Sequence, residues 1–415
     1  MQESWNAQHS RRGRKYLLAM VGLPARGKTY TARKLVGYFS WLGYPTRSFN
    51  VGERRRRFLG AGQPHSFFDA SNTQAFALRE QLTDQTLDDA FAFLAEGGRL
   101  AVFDATNSTR ERRAKLRMRT QAAGVELVFI ELVERDEAVV EESVRAAKLP
   151  SPDYSGMGAA EAMADFRKRI AHYEQVYQTV GQDEGIFIRV EGRGRTVTSH
   201  QARGWILGRI VSFLNNVQVT ERPIWLTRHG ESIFNQAGRI GGDSVLSERG
   251  QGYAQRLAEH VRNNMPDLEH LDVWTSTLKR SIMTAAALGI ESGPWRALDE
   301  IDAGICDGLS YRQIEARWPD EYAERKRDKL RYRYPGGESY EDVIQRVDRV
   351  IVELEGYTTP VLVVGHRAVL RALYAYFKQL PREQTPHLDM PLHTIIKLTT
   401  TAYGCLEERV ELAVD

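Results

Sequence analysis

The sequence predicts an α/β protein made of two domains in series. Three observations carry this. The chain has 415 residues, and domains usually run about 100–200 residues each. Along the first half, short apolar runs alternate with segments of helical spacing, the pattern of strands joined by crossover helices in a parallel sheet. The alternation starts afresh near Pro223, after a polar stretch at residues 214–222 that reads as a linker, and the two halves share no repeat.

The elements follow in order. Residues 1–14 are polar and basic and read as a disordered tail. Strands are expected at 16–23, 46–51, 100–105, 126–133 and 186–190. Helices are expected at 73–94 and 162–177, where Met163, Phe166, Ile170 and Tyr173 recur at three- and four-residue intervals. The second series has strands at 224–227, 271–275 and 361–364, with helices at 247–263, 279–288, 340–354 and 368–377. The domains are therefore placed at 15–215 and 222–415.

Composition narrows the function classes. Lys plus Arg is 57 against 54 for Asp plus Glu, a net charge of +3. That balance supports neither a nucleic-acid partner nor a membrane-surface partner. Basic residues cluster locally instead, at Arg54 to Arg57 and between Arg110 and Arg119, which suits small anionic ligands as well as solvated helix faces. Cys306 and Cys405 are the two cysteines, so a disulfide framework and a cysteine metal site are excluded. An apolar leader and a bilayer-length apolar run are both missing from the sequence, and the expected location is cytoplasmic.

Residues 22–29 read Gly-Leu-Pro-Ala-Arg-Gly-Lys-Thr. This is the P-loop pattern in full, between a predicted strand and a predicted helix. Its glycines let backbone N–H groups turn toward phosphate oxygens. Lys28 would reach the β- and γ-phosphates of ATP, and the Thr29 hydroxyl would ligate Mg²⁺. Asp104 ends the strand Leu-Ala-Val-Phe-Asp. From there it faces the ligand crevice, to hold Mg²⁺ or to accept a proton from an attacking hydroxyl. A turn or helix-cap aspartate is the plain alternative. Arg54 to Arg57, Arg79, Arg112 and Arg169 are candidates to surround an anionic acceptor, although an arginine taken singly is usually solvated surface.

The second half carries a different chemistry. Leu-Thr-Arg-His-Gly-Glu at 226–231 puts Arg228 and His229 at a strand end. A neutral imidazole nitrogen can attack phosphorus while an arginine stabilises the equatorial oxygens. Arg280 follows a second strand end, and His366 follows the apolar run Val-Leu-Val-Val-Gly. One such histidine is more often structural; two with two arginines favour a phosphate pocket. The leaving alcohol needs a proton, and Glu300 is the first candidate acid. Asp299 and Asp302 are not separated from it by spacing.

These motifs resemble a known family. Arg-His-Gly-Glu, Arg280 and Gly-His366 are similar to the histidine phosphatase superfamily, which includes phosphoglycerate mutases. With the P-loop and Phe103-Asp-Ala-Thr-Asn107, the chain from about Tyr16 onward resembles the bifunctional 6-phosphofructo-2-kinase/fructose-2,6-bisphosphatase family. Thr109-Arg-Glu-Arg-Arg113, Ser151-Pro-Asp-Tyr154, residues 238–244, Arg331-Tyr-Arg-Tyr-Pro335, residues 337–342 and Pro391-Leu-His-Thr394 extend the match. The resemblance implies a P-loop NTPase-type domain followed by a phosphoglycerate mutase-like domain. It implies fructose 6-phosphate, fructose 2,6-bisphosphate, ATP and Mg²⁺ as ligands. The quaternary state, a homodimer included, is not set by the sequence.

The resemblance also implies residue roles. Gly22, Arg26, Gly27, Lys28, Thr29, Tyr30 and Lys148 would contact ATP. Arg55, Arg79, Thr106, Arg112, Arg169 and Tyr173 would bind fructose 6-phosphate, with Asp104 catalytic. In the second domain His229 would be the phosphorylated nucleophile and Glu300 the proton donor, with Arg228, Asn235, Arg280 and His366 around the transferred phosphate. Gly241, Tyr311, Arg325, Lys329, Tyr340, Arg367 and Arg371 would complete the bisphosphate site. Glu134, Ser143 and Arg367 depart from the family pattern. Two rival readings are a kinase-phosphatase of nucleic-acid ends, which the near-neutral charge disfavours, and a nucleotide sensor without turnover, which the intact Lys28, Asp104, His229 and Glu300 disfavour.

Overall fold

The computed structural model describes residues 13–69, 71–147, 151–217, 222–265, 268–401 and 404–414. The chain divides into two compact units, Met1–Val217 and Gln218–Asp415. Most of the expected tail, and Lys148, lie outside the described residues.

The first unit holds β1 (Tyr16–Val21), β2 (Thr46–Asn50), β3 (Leu100–Asp104), β4 (Glu126–Val133), β5 (Phe187–Glu191) and β6 (Thr196–His200). They form one sheet in the order β2-β3-β1-β4-β5-β6. β1 is central, parallel to β3 and β4, and every one of its residues is buried. A strand covered by helices on both faces must be apolar throughout, which is why Tyr-Leu-Leu-Ala-Met-Val was readable. The predicted helix at 73–94 is Thr73–Ala95, capped by Asn72, whose side chain accepts the Ala75 N–H.

The second unit holds β7 (Arg222–Arg228), β8 (Asp272–Thr275), β9 (Ser292–Pro294), β10 (Val361–Gly365), β11 (Thr394–Thr401) and β12 (Gly404–Glu411). Their order is β12-β11-β7-β10-β8-β9. β10 is fully buried and lies parallel to β7 and β8, with Gly365 opposite Arg228 and Val364 opposite Thr275. The carboxyl ends of three strands therefore come out together, at the place where open α/β sheets bind ligands.

Each sheet carries antiparallel strands beside its parallel ones: β6 runs antiparallel to β5, β11 to β7 and β12 to β11. β6 and β12 are mostly exposed edge strands, so β6 can read Thr-Val-Thr-Ser-His. One expectation needs correction: the linker is shorter than residues 214–222. Leu214 is buried in the helix Trp205–Asn216, and Arg222 is buried in β7, where it donates to the Leu354 carbonyl at 2.7 Å.

Candidate active sites

In the first unit the P-loop joins β1 to the helix Lys28–Trp41. Gly27 caps that helix at φ 83° with no side-chain partner, so the first-turn N–H groups face outward as an anion cradle. Gly22 sits at φ 137°, and a Cβ there would meet the Leu132 carbonyl oxygen at 2.5 Å, so only glycine fits. Its N–H donates to the Thr106 carbonyl at 3.0 Å, tying the loop to the turn after β3. Lys28 Nζ donates to the Leu23 carbonyl at 2.6 Å, folded back over the loop. Arg26 donates to the carbonyls of Glu134 and Pro24, at 2.9 and 3.1 Å. Tyr30 stacks under Lys34.

Asp104 ends β3, buried, and Thr29 Oγ1 donates to its Oδ2 at 2.8 Å. Asn50 Nδ2 donates to the same oxygen. Asn50 was not singled out from the sequence. Its signal is register: β2 and β3 pair in parallel with Asn50 opposite Asp104.

The predicted acceptor residues gather on Phe68, in the one-turn helix His65–Phe68. The Arg169 guanidinium lies 3.6 Å from the centre of the Phe68 ring and that of Arg55 lies 5.3 Å away. The Tyr173 ring is 6.5 Å away, and Arg79 Nη1 donates to the Phe68 carbonyl at 2.9 Å. Arg112 reaches Glu80 and Thr83 on the helix that carries Arg79. Arg55 is buried against Asp153. Arg55 Nη1, Arg112 Nε and Arg169 Nε are buried without a hydrogen-bond partner. The rest of the Arg54–Arg57 run does not join them. Arg54 turns to Asp89, Arg56 lies 3.5 Å from Asp153, and Arg57 is exposed.

The residues that depart from the family pattern have plain local roles in this unit. Glu134 Oε1 accepts the N–H groups of Arg135 and Asp136, and Ser143 Oγ donates to the Val139 carbonyl at 2.9 Å. Arg113, also missed, is fully buried. It grips Glu184 through two nitrogens, at 2.7 and 2.8 Å, and donates to the Asn107 carbonyl at 3.1 Å.

The second unit has a cavity of about 270 Å³. Arg228, His229, Asn235, Gly241, Arg280, Glu300, Tyr311, Arg325, Lys329, Tyr340, Arg367 and Arg371 all line it. His366 lies beside His229, with ring centres 4.9 Å apart. Hydrogen bonds fix the His229 tautomer from both sides. Nδ1 is 2.7 Å from the Gly230 carbonyl, which can only accept, and Nε2 is 3.1 Å from Arg280 Nε, which can only donate. The proton is therefore on Nδ1 and the lone pair on Nε2. Burial, with Arg280 and Arg228 close by, holds the His229 pKa well below the usual imidazole value. His366 is lowered in the same way, by burial and then by the neighbouring His229. Its Nε2 lies 2.7 Å from Ser276 Oγ at the end of β8.

Of the three acids, Glu300 alone lines the cavity. Its carboxylate accepts N–H groups from Ile301, Arg367 and Ala368 at 2.9, 3.1 and 3.1 Å. The last two are the first residues of the helix Arg367–Phe377, so the carboxylate sits on a helix N-terminus. Asp299 is turned away to Thr277, and Asp302 to the Gly304 N–H.

Around the cavity, Arg325 donates to the hydroxyls of Tyr311 and Tyr334, both at 2.7 Å. Arg371 Nη1 donates to the Tyr340 hydroxyl at 2.9 Å. Lys329 Nζ donates to the Pro386 carbonyl at 2.8 Å. Burial beside Arg371, Arg325 and Arg367 pulls the Lys329 pKa down to about 7. Burial alone is the largest cause for Arg228, which falls to about 10. Tyr334 was missed: nothing in Tyr-Arg-Tyr-Pro says which tyrosine turns inward.

Both units match known families. A 6-phosphofructo-2-kinase family profile matches residues 3–221, and a histidine phosphatase superfamily (branch 1) profile matches residues 224–412. A Gallus gallus 6-phosphofructo-2-kinase/fructose-2,6-bisphosphatase is 45% identical over 403 residues, 96% of this chain and 85% of the relative. The chain belongs to the 6-phosphofructo-2-kinase/fructose-2,6-bisphosphatase family. Another relative in the family, 6-phosphofructo-2-kinase/fructose-2,6-bisphosphatase 3 of Homo sapiens, is 46% identical over 96% of this chain and 77% of its own length. The Arabidopsis thaliana relative is 47% identical over 95% of this chain, which spans 54% of that longer protein. Among the described residues no helix is long and apolar enough to cross a membrane.

Proposed function

We propose that the first unit makes fructose 2,6-bisphosphate from ATP and fructose 6-phosphate, and that the second hydrolyses it through a phosphohistidine. At the first site the Gly22–Thr29 loop and Lys28 hold the ATP phosphates. Arg55, Arg79, Arg112 and Arg169 hold the sugar phosphate, and the unpartnered buried N–H groups of Arg55, Arg112 and Arg169 are what an anion would satisfy. Asp104 takes the proton of the 2-hydroxyl as that oxygen bonds to the γ-phosphorus and the bond to ADP breaks. Mg²⁺ fits the hydroxyl and carboxylate of Thr29 and Asp104, hard oxygen donors 2.8 Å apart, and when bound it would neutralise phosphate charge.

At the second site His229 Nε2 attacks the 2-phosphoryl group. The N–P bond forms, the bond to the sugar oxygen breaks, and Glu300 gives that oxygen its proton. Water then attacks the phosphohistidine and loses a proton to Glu300. Orthophosphate leaves, and the Nε2 lone pair is restored. Arg228, Arg280 and His366 stabilise the equatorial oxygens. The buried, unpartnered Arg228 Nε and His366 Nδ1 fit this role.

The observation that carries the reading is the doubly fixed His229 tautomer, lone pair toward Arg280, in a cavity with one carboxylate on its wall. Incubation with γ-labelled ATP and fructose 6-phosphate tests it. Labelled bisphosphate should form and then release labelled orthophosphate. Absence of labelled bisphosphate would leave a nucleotide sensor as the better account.

A further inference from the structure

We propose that Asn50 is a positioning residue for the phosphoryl transfer, holding Oδ2 of Asp104 and tying it to the acceptor-binding helix while Oδ1 is left to receive the proton. The inference rests on the reading of Asp104 as the proton acceptor.

One amide does two jobs here. Its nitrogen Nδ2 donates to Asp104 Oδ2 across the β2–β3 pair. Its oxygen Oδ1 accepts the Glu53 N–H at 2.8 Å, capping the helix Val51–Leu59. Thr29 Oγ1 also donates to Oδ2, at 2.8 Å. Two donors on one carboxylate oxygen leave the other, Oδ1, without a protein donor among the described residues. That oxygen keeps both lone pairs for the proton of the sugar hydroxyl. Asn50 also links the carboxylate to the helix carrying Arg55, whose guanidinium lies against Phe68 among the acceptor arginines. The carboxylate and the sugar-phosphate cradle are thus held in one frame, as a near-attack geometry requires.

Two substitutions separate this role from simple helix capping. Asn50→Ser and Asn50→Asp both keep a side-chain oxygen that can cap the helix. Serine lacks the amide donor that reaches Asp104. Aspartate also lacks that donor and sets a second carboxylate against Asp104.

The expected results are specific. In Asn50→Ser the kinase kcat falls about 10- to 100-fold while the KM for ATP stays within about twofold. In Asn50→Asp, where an acceptor replaces the lost donor, the kinase kcat falls at least as far. An ATP KM within about twofold of wild type reports that the first unit of each variant is folded, and release of phosphate from fructose 2,6-bisphosphate reports the same of the second. Asp104→Asn is assayed beside them. If it silences the kinase while both Asn50 variants keep the wild-type kcat, the Asn50 proposal fails alone. If Asp104→Asn leaves the kinase undiminished, the reading of Asp104 fails and takes the proposal with it.

Discussion

His229 is a base ringed by guanidinium groups, and burial decides which form it takes. A charged imidazole there would add a cation beside Arg280 and Arg228, so the neutral form persists below the usual imidazole range. If His229 is the nucleophile proposed, protonation would consume its attacking lone pair, and the lowered pKa would keep it available on the acid side of neutrality. Lys329 limits the other side. Its pKa of about 7 means that the free cavity loses a positive charge as pH rises through neutrality. The KM for fructose 2,6-bisphosphate should therefore rise above pH 7. Lys329→Arg, which keeps its charge, should flatten that rise, and a profile unchanged by the substitution would exclude Lys329 as its source. Glu300→Gln should cut the phosphatase kcat by about 10²- to 10⁴-fold, with the bisphosphate KM changed only a few-fold. Steady-state assays check this, and a near wild-type kcat would assign the acid elsewhere. Arg228, His229, Arg280 and His366 were legible because each lies at or just past the end of an apolar strand, whereas Arg325, Arg367 and Arg371 lie in helices and were reached only through the family resemblance. The choice among Asp299, Glu300 and Asp302 was not, since the turn that aims Glu300 at the start of the helix Arg367–Phe377 is set by tertiary packing.

At the level of elements, buried strands were readable, and so were the half-exposed β2 and β5, but two edge strands were not. β1, β3 and β10 are covered on both faces and read as continuous apolar runs. β6 and β12 lie at sheet edges with mostly exposed residues, and their polar sequences resemble loops. A buried ion pair also ties together elements beside the first site. Arg113 joins the helix Arg110–Ala122 to Glu184 and to the Asn107 turn that follows Asp104. Removing one partner leaves a buried charge uncompensated, which typically costs about 3–5 kcal/mol. Arg113→Ala should therefore lower the urea midpoint of the first unit. A shift worth less than about 1 kcal/mol, the scale of a surface pair, would show that the pair does not hold the turn.

For the whole molecule, the two opposing reactions sum to ATP hydrolysis, so net output depends on the ratio of the two rates. The sequence shows both sets of chemical groups but not that ratio, because kcat depends on sub-ångström positioning within each site. Each unit contains a complete set of groups for its own reaction, one built from backbone amides and a lysine, the other from imidazoles and guanidinium groups. The most direct test is a crossed assay of both activities on folded wild-type, Lys28→Ala and His229→Ala protein. Lys28→Ala should lose bisphosphate synthesis and keep its hydrolysis; His229→Ala should keep synthesis and lose hydrolysis. Loss of both activities in either folded variant would contradict two self-sufficient sites in one chain.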